Sequence, residues 1–441
     1  MTSSTHHRQL DSSAARSPNE FAIEYSVRNR RVFRKVTTPD GEHEQWRPHI
    51  TRAPSPQLAW WMSYLRKNEL NAELTHDVHV LDLFSGVGGL SLGVSEAIKA
   101  LGGRPKILAG VDVDSDALNV FARNHRPFRT INASVARLVD SRPRSIGPDA
   151  RFAFPPEALG ELTQLPARPD VLVAGPPCQG HSTLNNYTRS RDEKNDLYLK
   201  VPGIAVALDV PVVIIENVPN VVNDARGVVV TARALLESEG YVVTQATLAA
   251  HRLGWPQTRK RFFMVATKGH LPVDLEWLKG ELRQPEVGVE WSINDLAGTM
   301  LGGTIMTSVP QMSDDNRRRV DFLVSSGQND LPLSERPECH QEGTTYTSVY
   351  GRMHEGKPAP TITTGFMTPG RGRFIHPSEP RVLTPSEAAR IQGFPDWFDF
   401  VGTSEQQPTR ANLAKWIGDA VPSILGYVAG LSALALRPSE L

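Results

Sequence analysis

Cysteine is scarce: the 441-residue chain has only Cys178 and Cys339. Two are too few for a disulfide framework or a Cys-rich zinc site, so a reducing compartment is expected and no metal centre. Net charge is missing too, since 48 basic residues balance 48 acidic ones, and no global field draws the protein to nucleic acid or membrane. Long apolar runs are also lacking. Residues 1–20 are polar and Ser-rich, without the apolar core of a secretory signal, and read as a disordered tail. The most apolar stretch, 420–436, is broken by Pro422, Ser423, Gly426, Gly430 and Ser432 and falls short of a spanning length, which predicts a buried terminal helix. These absences together imply a soluble cytoplasmic protein with no membrane contact.

What is present is ordinary globular composition, 39% apolar and 22% charged with 34 Gly and 34 Pro, over a length that suits two or three domains. Between residues 76 and 268 short apolar runs alternate with helical patterns. This rhythm predicts strands at 79–84, 106–111, 170–174, 210–215, 241–247 and 261–265 and helices at 89–101, 115–124, 199–208 and 228–239. Most of the strands are nearly continuous Val, Ile and Leu, which predicts cover on both faces: an α/β, doubly wound, mostly parallel sheet. After residue 269 the rhythm stops, and segments such as GGT at 302–304 and TPGRGR at 368–373 suit a smaller, loop-rich or β domain built for contact. A helix then returns at 384–393, with Thr384 as N-cap, Pro385 at the first position, Glu387 completing a capping box and Gly393 as the stop. Another helical pattern, 56–67, stands alone in the N-terminal extension. The reading divides the chain into an extension, 1–76, a catalytic domain, 77–268 plus 412–441, and a recognition domain, 269–411.

The first strand runs into Ser85-Gly86-Val87-Gly88-Gly89 and then a helix. Glycines here permit a tight turn and close approach of a ligand to the backbone. A dinucleotide fingerprint needs a third glycine at position 91, where the chain has Ser91, so a pyrophosphate site is unsupported. Asp112 closes the second strand, at a spacing that suits a carboxylate on ribose hydroxyls. Ribose without pyrophosphate points to an adenosyl cofactor such as S-adenosylmethionine; a strand-turn-helix without a ligand is the plain alternative.

Three further strand ends carry chemistry. DVLVAGPPCQGHS sets Cys178 just beyond a buried strand, where open α/β sheets bind ligands; a buried thiol would be inert, whereas one held in a loop is placed to react. VVIIENVPN puts Glu216 and Asn217 at the same edge. Desolvation there would raise the Glu216 pKa toward neutrality, although a strand-capping role would also account for it. Gln257, Arg259 and Arg261 alternate at the start of a later strand, which predicts that they face one side, either as a solvated patch or toward the thiol and the carboxylate.

DLFSGVGG, GPPCQG, ENVP, QTRKR, TPSEAARIQGFP and GDAVP, in this order, resemble the DNA cytosine-5 methyltransferase family. The resemblance covers about 78–268 and 380–430, and the order of the six blocks is more specific than any one of them. It implies an S-adenosylmethionine-dependent, Rossmann-like fold with an inserted target-recognition domain. It also implies a cofactor pocket lined by Phe84, Ser85, Gly86, Gly88, Gly89 and Pro176, with Asp112 on the ribose, Val113 against the adenine, and Ser134 and Asp419 as further contacts. Cys178 is then the nucleophile, Glu216 the group on cytosine N3 and its exocyclic amine, and Arg259 and Arg261 the positioning cations. Gln179, Asn217 and Gln257 fall beside them as substrate contacts, and Arg317, Arg352, Arg371 and Arg373 are candidates for base or phosphate contacts. Asp419 and Ser134 depart from the family pattern, which has Asn in the first place and usually Asp in the second.

The implied partner is double-stranded DNA in the bacterial nucleoid, read by a monomer, with a cognate restriction endonuclease or other phage-defence proteins. An RNA cytosine methyltransferase and a catalytically decayed DNA-binding regulator are the alternatives. Charge by segment fits a DNA enzyme: residues 77–268 carry 22 basic and 19 acidic side chains, and 269–411 carry 13 and 19. Phosphate binding would therefore rest on local clusters and be salt-sensitive.

Overall fold

A computed structural model of the chain describes residues 21–49, 53–177, 196–298, 303–338, 348–403 and 407–437. Three antiparallel strands come first, β1 (Ala22–Arg28), β2 (Arg31–Thr38) and β3 (Gly41–Pro48), followed by helix α1 (Pro56–Arg66). The main sheet is built from β4 (His76–Leu83), β5 (Gly103–Asp112), β6 (Arg129–Asn132), β9 (Val171–Ala174), β10 (Val212–Asn217), β11 (Val242–Ala249) and β12 (Lys260–Thr267), in the order β11-β12-β10-β9-β4-β5-β6. A two-stranded ribbon, β7 (Val139–Asp140) with β8 (Glu157–Ala158), follows β6.

The alternation of side chains explains why the sheet is covered on both faces. Val171, Val173, Val212, Ile214, Phe263 and Val265 enter one core, with α1, α2 (Gly89–Ala100), α6 (Leu275–Glu281) and α11 (Ser423–Leu434). Their neighbours Leu172, Ala174, Val213, Ile215, Phe262 and Met264 enter a second core, with α4 (Asp196–Ala207) and α5 (Val228–Ser238). Helix α3 (Ser115–His125) closes the β5–β6 crossover. Each six-strand expectation lies on an observed strand, and the doubly wound, mostly parallel architecture holds.

The five strands β6, β5, β4, β9 and β10 are parallel, so their C-terminal ends share one edge. β12 is antiparallel to β10, with Asn217 opposite Phe262, and therefore begins where the others end. This inversion delivers Lys260 and Arg261 to the ligand-binding edge.

The N-terminal extension holds more than the one predicted helix. The inward positions of β2 are Val32, Arg34 and Val36, all buried, and Arg34 and Arg47 lie over Trp60 of α1. Arg47 also pairs with the buried Glu96 of α2 at 3.0 Å. Beyond residue 269 the described residues form α6, α7 (Glu290–Ile293), α8 (Asp314–Ser325), α9 (Pro385–Ile391) and α10 (Arg410–Asp419), joined by long loops, with only isolated bridges in place of strands. The stretch 269–411 shares cores with the catalytic part: Leu275, Leu278 and Leu282 join the sheet core, and Ile362, Phe366 and Phe374 pack with Val87, Leu92 and Val120. Val320, Leu323, Leu331 and Ile375 make a separate small core. The division drawn at 411/412 falls inside α10. The capping box of α9 is present as predicted, with Thr384 Oγ1 accepting from Glu387 N and Glu387 Oε2 accepting from Thr384 N.

Candidate active site

At the C-terminal edge of the sheet lies a cavity of about 370 Å³, within the range of small-molecule sites. Its floor is the turn after β4. Phe84 takes a left-handed backbone (φ 59°), uncommon for a bulky residue and the kind of local strain that recurs at ligand sites. Gly86 N donates to Asp112 Oδ2 at 2.8 Å and Asp114 N to Asp112 Oδ1 at 2.9 Å, which ties this turn to the end of β5. Gly88 (φ 92°) caps α2 without a side chain for a further reason: a Cβ there would stand 2.0 Å from His125 Nε2. Val113, the next residue on the rim, is 72% exposed, an apolar surface open to a ligand.

Of the predicted cofactor contacts, Phe84, Ser85, Gly86, Gly89, Asp112, Val113, Pro176 and Asp419 all line this cavity. Gly88 lies behind it, against His125, and Ser134, which precedes a short 3-10 turn after β6, is outside the lining. Lining residues that the reading did not single out include Asp82, Asp114, Lys415 and Trp416. Lys415 Nζ reaches Asp114 Oδ2 at 2.9 Å across the rim. Burial pushes the Asp82 carboxyl up to about 7, against the hydrogen bond it accepts from Ser91 Oγ and with the help of Asp112 nearby. The donor set fits an adenosyl cofactor: an exposed Val face for a base, and carboxylates for hydroxyls and for a cation.

The other wall carries the groups of the predicted catalytic set. Glu216, at the end of β10, is 7% exposed. Arg261 Nε sits 2.7 Å from Glu216 Oε1. Burial raises the Glu216 pKa above the usual carboxylate range, opposed by Arg261 and Arg259. Gly175, just after β9, lies beside this carboxylate on the cavity wall. Pro176 and Pro177 line the cavity beside it and lead directly toward Cys178. Cys178 and Gln179 themselves, like Cys339, fall outside the described residues.

Arg259 and Arg261 both line the cavity as expected, together with Asn217, whereas Gln257 does not. Gln257 is fully buried and donates from Nε2 to Ile391 O and Gln392 Oε1, so it fastens the end of α9 and meets no open surface. Arg259 Nη1 donates to Ile362 O (2.8 Å) and Gly418 O (3.0 Å), and Nη2 to Asp419 O. Its guanidinium thus clamps the recognition stretch and the end of α10 to the edge of the sheet. Asn217 is buried, donates to Pro176 O at 3.1 Å and accepts from Val218 N, tying the loop after β10 to the loop that leads to Cys178.

The four arginines proposed to contact DNA divide in the same way. Arg352 donates to the carbonyls of Gln328, Pro377 and Gly327. Arg373 donates to Asn329 O and Arg352 O and pairs with Asp330. Both are therefore engaged in building the fold. Arg317, on α8, and Arg371 are exposed.

A seven-stranded sheet with one inverted strand, an adenosyl-type pocket at its C-terminal edge and a buried carboxylate–guanidinium pair facing that pocket define the Rossmann-like methyltransferase class. Within it, the chain belongs to the C-5 cytosine-specific DNA methylase family, whose model matches residues 78–429. It is 38% identical over 376 residues to the Type II methyltransferase M1.BsuMI of Bacillus subtilis, covering 84% of each chain. It is 30% identical to the Type II methylase M.HgiDII of Herpetosiphon aurantiacus, covering 79% of this chain and 93% of that one. Among solved structures, one assigned to a DNA modification methyltransferase from an Escherichia coli prophage superposes with a TM-score of 0.52 at 24% identity, covering 80% of this chain and 98% of that one, and supports the fold. The chain is thus a DNA cytosine-5 methyltransferase.

Proposed function

We propose that this enzyme methylates C5 of a cytosine turned out of a specific duplex sequence, through a covalent adduct of Cys178 at C6. The supporting observation is the Glu216–Arg261 pair, buried at the wall of the same cavity that holds Phe84, Asp112 and Val113. Cytosine C5 is a poor nucleophile, so a thiolate must first add at C6 and move electron density to C5. Glu216, with its proton affinity raised by burial, donates to N3 as that density develops and receives the exocyclic amine. Arg261 orients the carboxyl and neutralises it when it ionises. When bound, S-adenosylmethionine supplies the electrophilic methyl group that C5 of the activated ring accepts. Loss of the C5 proton then re-forms the C5–C6 double bond and expels the Cys178 thiolate. Asp112 is placed for the ribose hydroxyls and Val113 for the adenine face. The target atoms are inaccessible in a stacked duplex, so the base must leave the helix.

The Type II relatives support a role as the modification partner of a restriction endonuclease of matching specificity. A duplex carrying 5-fluorocytosine at the target tests the mechanism: a denaturation-resistant adduct should form and map to Cys178, because fluorine cannot depart as the proton does. An adduct on Cys339, or none with a cleanly methylated control duplex, would refute the assignment.

A further inference from the structure

The cavity lining carries five carboxyls, Asp82, Asp112, Asp114, Glu216 and Asp419, against three cations, Arg259, Arg261 and Lys415. Arg261 is paired with Glu216 and Lys415 with Asp114. The Arg259 guanidinium is engaged by three backbone carbonyls, including that of Asp419, which fix its position without cancelling its charge. Asp112 and Asp419 remain on the lining, and among the described residues no ion pair within 4 Å reaches either carboxylate. Asp112 is held by two backbone N–H groups, which fix its position without cancelling its charge. Asp419 is tied to the fold through its carbonyl; burial raises its carboxyl pKa, opposed by Lys415, Arg259 and Arg261 nearby. Asp82 adds a third carboxyl, buried beneath the same cavity.

A pocket with surplus negative charge separates ligands that differ by one positive charge. The methyl donor carries a sulfonium; its product, S-adenosylhomocysteine, is the same molecule with a neutral thioether. We propose that Asp419 is a discriminating residue that biases the cavity toward the sulfonium donor and against its spent product, which lowers product inhibition. This inference rests on the reading of the cavity as the cofactor site.

Isothermal titration of the full-length protein with S-adenosylmethionine, S-adenosylhomocysteine and sinefungin, a cationic analogue that transfers nothing, tests it. One unit charge on the wall of a half-exposed cavity is worth on the order of tenfold in affinity. Asp419→Asn should therefore reduce the donor-to-product preference by about that factor, with sinefungin weakening alongside the donor and the product unchanged. Asp419→Ser should do the same. Lys415→Gln, which uncovers Asp114, should shift the preference the other way. Equal weakening of all three ligands, or an unchanged preference in every variant, would overturn the proposal while leaving the cofactor site intact. Wild-type protein that binds neither donor nor product would sink the cofactor reading, and the proposal with it.

Discussion

Removing the Arg261 side chain would leave Glu216 buried with its closest cation gone. The pair is 2.7 Å apart, with side chains 15% and 8% exposed, so solvent replaces little of the lost interaction. Breaking a buried pair by deleting one partner costs about 3–5 kcal/mol when the other stays charged. Glu216 has a second course, which is to protonate. Its folded pKa already lies above the unfolded value, and loss of Arg261 raises it further. Between the unfolded pKa and the folded one, the unfolded chain gives up its proton first, so stability falls by about 1.4 kcal/mol per pH unit. The Arg261→Ala deficit should consequently grow with pH, from about 1 kcal/mol at pH 5 to about 3 kcal/mol at pH 8. Urea unfolding of both proteins across that range, followed by circular dichroism, measures it. A deficit that stays flat or shrinks with rising pH would show that the pair does not control the charge of Glu216. Methyl transfer should fall in the same variant at every pH, because the carboxyl loses its orientation.

Asp82, held near pKa 7 by burial, costs the fold stability as pH rises from 4 to 7; Asp82→Asn should be more stable than wild type at pH 8 by roughly 3–4 kcal/mol and equal to it near pH 4, as read by urea midpoints. Gln257→Ala removes two buried hydrogen bonds to the end of α9; it should cost about 1–3 kcal/mol without changing the sequence methylated, which thermal unfolding and bisulfite sequencing together check. Arg317→Ala and Arg371→Ala should each lower the slope of log K for DNA against log salt by about 1 while leaving the melting temperature unchanged. Arg352→Ala, which strips three carbonyls of their donor, should lower the melting temperature instead.

The contrast among those arginines shows where sequence reading runs out. Composition reveals that 352–373 is basic, but whether a guanidinium faces DNA or closes a loop depends on carbonyls supplied from residues 327–329 and 377. The sheet was legible because its strands are short Val/Ile/Leu runs, and the cofactor loop because glycines and an acidic strand end sit at diagnostic spacing. β2 was hidden by Arg34, an inward-facing charge whose burial makes sense only beside Trp60 and Gln45. Helix α10 and its pocket residues Lys415 and Trp416 were hidden for a similar reason, since their partner, Asp114, lies some three hundred positions earlier. The alternation at 257–261 put Arg259 and Arg261 on the cavity but failed for Gln257, which lies before the strand begins at Lys260 and is absent from the lining. Of the three, Arg261 makes the direct ion pair with the predicted carboxylate, and Arg259 acts on it from the same cavity.

The most direct test is to express the protein in a host lacking cytosine methylation and to identify the modified nucleoside in its DNA and RNA by mass spectrometry. The account predicts 5-methyl-2′-deoxycytidine in DNA, confined to one short sequence motif and abolished by Cys178→Ala. A methyl group on the exocyclic amine, modification of RNA alone, or an active Cys178→Ala enzyme would contradict it.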